Sequence, residues 1–398
     1  MLQDEPVSSG PPHPVARKRI TVAALVVAIL LIVGGSVEAV RGAHGYYVLS
    51  PGTAPSITAS SSCKPSSGGN LSLPHGKPCV RLVVPAERAH DVEGSLFMVD
   101  VLEGPATPSQ YVLHKLGLLN FFDEGAVLIP ASEILGTTPS SQLNCQSDQA
   151  MQGATSSAAV VALQRLGYSV RENYLGAQID QVEPGSAASR AGLRCNDLVT
   201  AVNGAPIHTD TDFVNQIHGL RPGDVMHLTV SRVGAGGTST SVDLTAHLEG
   251  TPAEDGQAAQ PSRPFLGVAV ESHITFTLPF DVTIDVGEIG GPSAGLALTL
   301  GLLDVLSNGQ LTGGHRVAAT GTINLDGSVG DVGGVAQKAV AVRKAGAQVF
   351  LVPPQELGAA KSKAGSMKVY AVSTLQQALD DLQSLGGKVP SPTTGQNG

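Results

Sequence analysis

A serine stands among small residues in Gly290-Gly291-Pro292-Ser293-Ala294-Gly295, just ahead of the apolar run "LALTLGLLDVL". A serine hydroxyl becomes a nucleophile only when a neighbouring base takes its proton. The residue that could do so is Lys338, 45 positions further on in "GGVAQKAVAVRKAG". With the 3.6-residue helical repeat counted from Val335, Lys338 falls on the apolar face with Val342 and Ala345, whereas Gln337 and Lys344 fall on the wet side. Burial disfavours the charged amine and turns a lysine into a base near neutrality. Each residue also has a structural reading. Ser293 could simply cap a helix, and Lys338 could lie along apolar surface with its head in water. The stretch also fits G-x-S-x-G, the nucleophile elbow of α/β-hydrolases, which needs an acid and then a histidine later in the chain. Only His315 follows Ser293, with Asp304 between them, so that order has almost no room.

The elements around the pair can be read from pattern. A strand runs to about Val286 and a glycine loop follows. A helix then opens near Pro292 and stops at Asn308-Gly309, as a proline start and a glycine stop require. Its free N–H groups would favour developing negative charge beside Ser293. Gly291 and Ala294 are the candidate oxyanion and substrate-backbone positions. Gly333-Gly334 opens a second helix that Gly346 ends. Between the two helices, "TGTINLDGSVG" reads as a hairpin turning at Asp326-Gly327, with Thr320 or Thr322 in reach of the lysine; "VFLVP" reads as a strand.

"GGPSAG", "TGTINLDGSVG" and "GGVAQK" together resemble the proteolytic domain of Lon proteases. In that family the serine attacks a peptide carbonyl, and the lysine takes its proton and later protonates the leaving amine. The resemblance implies those roles for Ser293 and Lys338. Two departures stand out. Many ATP-dependent relatives carry an aspartate where this chain has Gly290, and no G-x-x-x-x-G-K-[ST] phosphate loop is present.

Upstream, "YLGAQIDQVEPGSAASRAGLRCNDLVTAVNGAPIHTDTDFVNQIHGLRPGDVMHLTVSRVG" reads as strand, Pro-Gly turn, short alanine-rich helix, strand, helix from Asp210 to His218, and strand. It resembles the PDZ domains found beside bacterial exported proteases. The resemblance implies that Leu175, Gly176 and Ala177 offer backbone N–H groups to a peptide carboxylate, and that the peptide adds as a strand. Cys195 stands where many relatives have proline. A groove blocked by the protein's own chain is the other reading.

The chain has 398 residues, a net charge of −9, no tryptophan and only 14% charged residues. That argues against a nucleic-acid binder, which needs a basic face and stacking aromatics. Arg17, Lys18 and Arg19 precede the uncharged run 20–37. Its 18 residues, at ~1.5 Å each, span roughly 27 Å, enough for a bilayer core. The basic cluster sets a cytoplasmic tail (1–19) and an exported body. A cleaved signal peptide is the rival reading, with a tolerable site at Val37-Glu38-Ala39. The four cysteines have no zinc-like spacing. In an exported body they can pair, with Cys63–Cys79 closing a Ser/Gly/Pro-rich loop and Cys145–Cys195 following; four free thiols are the alternative.

The expected architecture is multidomain. A transmembrane helix (20–37) leads to a mainly β exported region (40–150, with a closing helix to 168). A PDZ domain of α+β, partly open barrel type (170–247) and a linker (248–264) follow. An α/β (α+β) Lon-type domain (265–385) and a disordered tail (386–398) complete the chain. The expected function is a membrane-anchored, ATP-independent Ser–Lys endopeptidase of the plasma membrane with an extracytoplasmic catalytic body. It would use no cofactor or metal, act on protein or peptide substrates through the PDZ domain, and form a homo-oligomer if it follows the rings of Lon-type domains. The alternative is a PDZ peptide-binding scaffold with a silent Lon-like domain.

Overall fold

The computed structural model describes residue 36 and residues 38–390, apart from 59–61, 66–70, 74–75, 137, 235–236 and 254–257. The run 20–37 therefore lies outside the described residues except for Ser36. Among the described residues no helix is long and apolar enough to cross a membrane. The elements that position the site are, in chain order, β1 (Ser56–Thr58), β2 (Cys79–Val83), β3 (Ser95–Phe97), α1 (Ser140–Arg165), β4 (Arg171–Val182), β5 (Leu198–Val202), α2 (Asp210–His218), β6 (Val225–Val233), β7 (Ser239–His247), β8 (Val268–Thr277), β9 (Thr283–Asp285), α3 (Gly295–Leu306), β10 (Arg316–Ala319), α4 (Val335–Lys344), β11 (Val349–Val352) and β12 (Lys368–Ala371).

One seven-stranded mixed sheet has the order β9-β2-β1-β3-β10-β11-β12. Its central and edge pairs β3–β10, β10–β11 and β11–β12 are parallel. Side chains alternate across it, as a two-residue period demands. Leu96, Val317, Ala319, Val349 and Leu351 enter the core shared with α1 and α3. Phe97, Ala318, Phe350 and Val352 enter the opposite core, with α4. Helices therefore cover both faces; β11 is buried throughout and β10 from Val317 to Ala319.

The strands expected around Cys79 and Leu96 exist, but they do not form a separate exported domain. They complete the same sheet as β9 to β12, and α1 packs along α3 in its core. A short strand cannot bury both faces alone, and these found their neighbours more than 200 residues downstream, with Leu96 opposite Val317. The PDZ-like region is thus an insertion between two halves of one α/β body. It forms its own sheet, β7-β6-β5-β4-β8, around a core that includes Phe213, Ile179, Val199 and Leu228. Its fifth strand is β8, beyond the expected boundary at 247. The expected linker holds a hairpin, Glu249–Thr251 with Gln260–Phe265. The tail is also ordered at its start, where Gly387 donates to the Leu382 carbonyl and Lys388 to that of Gln310; residues 391–398 lie outside the described residues.

Both expected disulfides are present, Cys63–Cys79 and Cys145–Cys195. The second ties α1 to the loop before β5. Beside it, the Gln149 side chain donates to the Ile179 carbonyl at 3.2 Å.

Described residues up to Ser50, with Leu102–Gly136, form a small unit of their own. Residues 38–43 are helical there. Strand Tyr46–Pro51 lies between Val101–Pro105 and Val127–Pro130. Val48, Leu119 and Ala126 make its small core.

Candidate active site

Ser293 sits in a 3-10 turn, Pro292–Ala294, that leads into α3. Pro292 occupies the first position of that turn, where its missing N–H costs nothing. Gly291 before it has φ +86°, a conformation that favours glycine. Gly295 must also be small: an added Cβ would stand 2.8 Å from the Ile323 nitrogen. This close approach presses the serine turn onto the 322–330 hairpin. The Ser293 carbonyl accepts from Gly321 N at 2.9 Å and from Thr320 Oγ1 at 3.1 Å.

Lys338 comes from the other side of the sheet, one turn into α4. It is only 2% exposed. Its Nζ donates to Thr320 Oγ1 at 3.2 Å. Burial pushes its pKa down to about 8, against the weaker upward pull of Asp100 and Glu356. Ser293, Thr320 and Lys338 therefore share one hydrogen-bonded chain, with Thr320 at the end of β10 joining the two. No hydrogen bond joins Ser293 Oγ to Lys338 Nζ directly. The sequence offers Thr320 only as one of two threonines; its burial at the end of β10 and its bond to Lys338 select it over Thr322.

Lys344 is exposed, as the helical repeat requires, but Gln337 is buried beside Lys338. The repeat assumes one wet face, and α4 has almost none, because α4 is held between the sheet and the helix Leu357–Lys363. The hydrolase arrangement is not formed. His315 Nε2 faces the Leu385 carbonyl at 3.2 Å, and Asp304 accepts from Leu311 N at 2.8 Å.

The two oxyanion candidates differ. Gly291 already donates its N–H to the Ser147 carbonyl of α1 at 2.8 Å. Ala294 is buried inside the helical turn. Ser147 is two residues from Cys145, so the helix clipped to the PDZ-like region is also the one that holds the serine loop.

The expected peptide loop lies within a sheet. Leu175, Gly176 and Ala177 lie inside β4, and Ala177 faces Val199 on one side and Ser272 on the other. A strand paired on both edges cannot accept a third partner there. The same pattern, aromatic-Leu-Gly-aliphatic, recurs at Phe265-Leu266-Gly267-Val268, just before β8. Gly267 has φ +84°. The Leu266 carbonyl accepts from Ala188 N at 2.8 Å and the Gly267 carbonyl from Glu183 N at 3.0 Å. With both carbonyls pinned inward, the N–H groups are turned away from the domain, and β8 is the edge strand of its sheet beside α2. Downstream, β8 borders a cavity of about 610 Å³, which Gln152, Ser156, Ser272, Phe276, Ile284 and Leu325 help to line. Neither Ser293 nor Lys338 lines it.

An α/β body carrying a serine turn and a buried lysine, interrupted by a PDZ-like sheet, matches two families. Residues 268–383 match the model of the Lon protease (S16) C-terminal proteolytic domain and residues 164–245 that of a PDZ domain. Among proteins, the chain is similar to Lon protease 2 of Bacillus subtilis, 33% identical over 28% of this chain and 18% of that one. It is also similar to Lon protease 2 of Thermus thermophilus, 30% identical over 42% of this chain and 21% of that one. The PDZ part is similar to the periplasmic pH-dependent serine endoprotease DegQ of Escherichia coli, 32% identical over 21% of each chain. The chain thus spans about a fifth of the length of these relatives.

Proposed function

We propose that the protein is a serine endopeptidase with a Ser293–Lys338 dyad that cleaves extended polypeptide without ATP. The observation that carries this reading is the water-starved amine of Lys338, linked through Thr320 to the turn that bears Ser293. Neutral Lys338 takes the Ser293 hydroxyl proton as Oγ bonds to the scissile carbonyl carbon. The protonated amine then gives that proton to the leaving nitrogen as the peptide C–N bond breaks, leaving an acyl ester on Ser293. Water attacks the ester, Lys338 takes its proton, and the proton returns to Ser293 Oγ as the ester bond breaks. The helical turn at Ala294 supplies N–H groups and dipole for the oxyanion. Gly291 joins only when its bond to Ser147 is released, so the arrangement described is a resting one.

The PDZ domain would capture a free peptide C-terminus at Phe265–Gly267, with the peptide adding along β8. Its upstream residues would run toward the cavity beside the protease body. Two disulfides support an oxidising, extracytoplasmic location, and the uncharged run 20–37 supports a single-pass membrane anchor. Assembly into a ring is part of this reading through the Lon domain.

The test is Ser293→Ala against wild type on denatured protein and on a fluorescent C-terminal peptide. Cleavage should vanish and peptide binding stay within twofold. Unchanged cleavage sinks the mechanism; absence of cleavage in wild type favours a peptide-binding scaffold.

A further inference from the structure

The apolar side chains left outside the protein are unevenly shared. Of the fourteen large apolar residues exposed among those described, eight belong to the small unit formed by residues up to Ser50 and Leu102–Gly136. Five of them fall within eleven consecutive residues: Val112, Leu116, Leu118, Phe121 and Phe122. Phe121 is 81% exposed, Phe122 65% and Leu116 64%. Backbone bonds place them together. Leu116 N donates to Val112 O, and both Phe121 and Phe122 donate to Leu118 O. The two phenyl rings meet edge to face, 5.1 Å apart. A contiguous exposed apolar patch of this kind marks an interaction surface.

We propose that this patch seats in the surface of a lipid bilayer, resting on the membrane anchoring proposed above. Two features favour lipid over a protein occupant. The uncharged run 20–37 leads straight into residues 38–43 and the strand at Tyr46, in the same small unit as the patch. An anchor there would tie the unit that carries the patch directly to the membrane. The patch is also entered from a basic turn, His114-Lys115, with the Lys115 amine over the Tyr111 ring at 5.4 Å. Aromatic and aliphatic tips beside a lysine suit the interface between headgroups and acyl chains. Membrane attachment at two points, an anchor and a seated surface, would fix the orientation of the small unit.

The chain's lack of tryptophan makes the test direct. Full-length Phe121→Trp is reconstituted into phosphatidylcholine–phosphatidylglycerol vesicles, with plain or brominated acyl chains; Tyr174→Trp, on the PDZ domain, is the control. Bromine near a depth of ~5–10 Å should remove most of the Phe121→Trp emission, which should also be blue-shifted, and leave the control unchanged. Flotation after an alkaline carbonate wash reads the anchor separately in the same samples. Flotation with equal emission in both vesicle types overturns the docking surface and leaves the anchor standing. Quenching without flotation overturns the anchor and keeps the surface. A blue shift that persists in detergent and is not quenched means that the protein itself, its own apolar run or a second copy, covers the patch; that outcome also overturns the proposal.

Discussion

Two buried charges, one in the PDZ domain and one in the protease body, are treated in opposite ways. Asp197 is 1% exposed. Arg232 meets it with two nitrogens at 2.6 Å, and Arg194 N donates to it at 2.9 Å. Lys338 is 2% exposed and has one neutral hydroxyl. The first is a closed structural clasp joining β6 to the loop before β5. The second is left short of partners, and in the proposed mechanism that shortage makes it the base. A satisfied buried charge holds a fold; an unsatisfied one is available for chemistry.

The comparison is broken most severely at Lys338. Lys338→Met should lower kcat/KM by at least ~10³-fold, since nucleophile and base act as a unit. The same change should stabilise the body. The folded pKa lies below that of an exposed lysine, so the unfolded chain binds the extra proton between about pH 8 and 10.5. Wild-type stability therefore rises with pH across that window, and the protonated lysine is a cost below it. At 1.36 kcal/mol per pKa unit that cost is about 3 kcal/mol at pH 7, which the methionine removes. Thermal unfolding at pH 7 and pH 10 reads it: the variant's advantage should shrink at the higher pH.

Breaking the clasp should do the reverse. Asp197→Ala strands the Arg232 guanidinium, which keeps only its bond to the Gly192 carbonyl, at a cost of about 3–5 kcal/mol. Hydrogen exchange should show the loss confined to β4–β8, while cleavage of a short unstructured peptide persists. A replacement of both partners by leucine should recover much of the loss.

Thr320 sharpens the contrast. Thr320→Val removes the one hydrogen bond to Lys338 and the bond to Ser293's carbonyl. A drop of roughly 10–100-fold in kcat is expected from lost positioning. In wild type, kcat/KM should climb tenfold per pH unit toward about 8 and then level, because only the neutral amine accepts a proton. Without its hydroxyl partner the charged amine is disfavoured further, so the valine variant's rising limb should move to lower pH; Thr320→Ser should restore it. A limb that does not move would make Thr320 a structural residue only.

Much of this site was legible because its signals are local. The glycine loop, the proline start and the glycine stops are chain-local demands, and they place Ser293 and Lys338 at the starts of α3 and α4. The misplaced features all depend on partners far along the chain. Tyr174-Leu175-Gly176-Ala177 and Phe265-Leu266-Gly267-Val268 share one pattern. Only sheet order shows that Ala177 in the first lies between β5 and β8 while the second leads into the edge strand β8. The strands around Cys79 and Leu96 were recognisable as strands. Their membership in the protease sheet was not, because the PDZ insertion separates them from β10. A helical repeat shows one covered face and cannot show a second layer, so it places the buried Gln337 on the wet side.

Asp304 offers the smallest and finest test. It is buried in α3, with one carboxylate oxygen bonded to Leu311 N and the other without a partner. Burial pushes its pKa up to about 6, with Glu93 adding to the shift. Here the folded chain holds the extra proton, so stability should fall as pH rises from about 4 through 6, opposite in sign to the lysine's effect. Asp304→Asn should flatten that slope and add about 1 kcal/mol at pH 7, less than the full shift implies, because the amide inherits the unmet position. Activity should not change, since no bond joins Asp304 to Ser293, Thr320 or Lys338. A variant that lost activity while keeping its melting temperature would show that an unpaired buried charge away from the dyad also serves the chemistry, and the division between clasp and base would then need a third class.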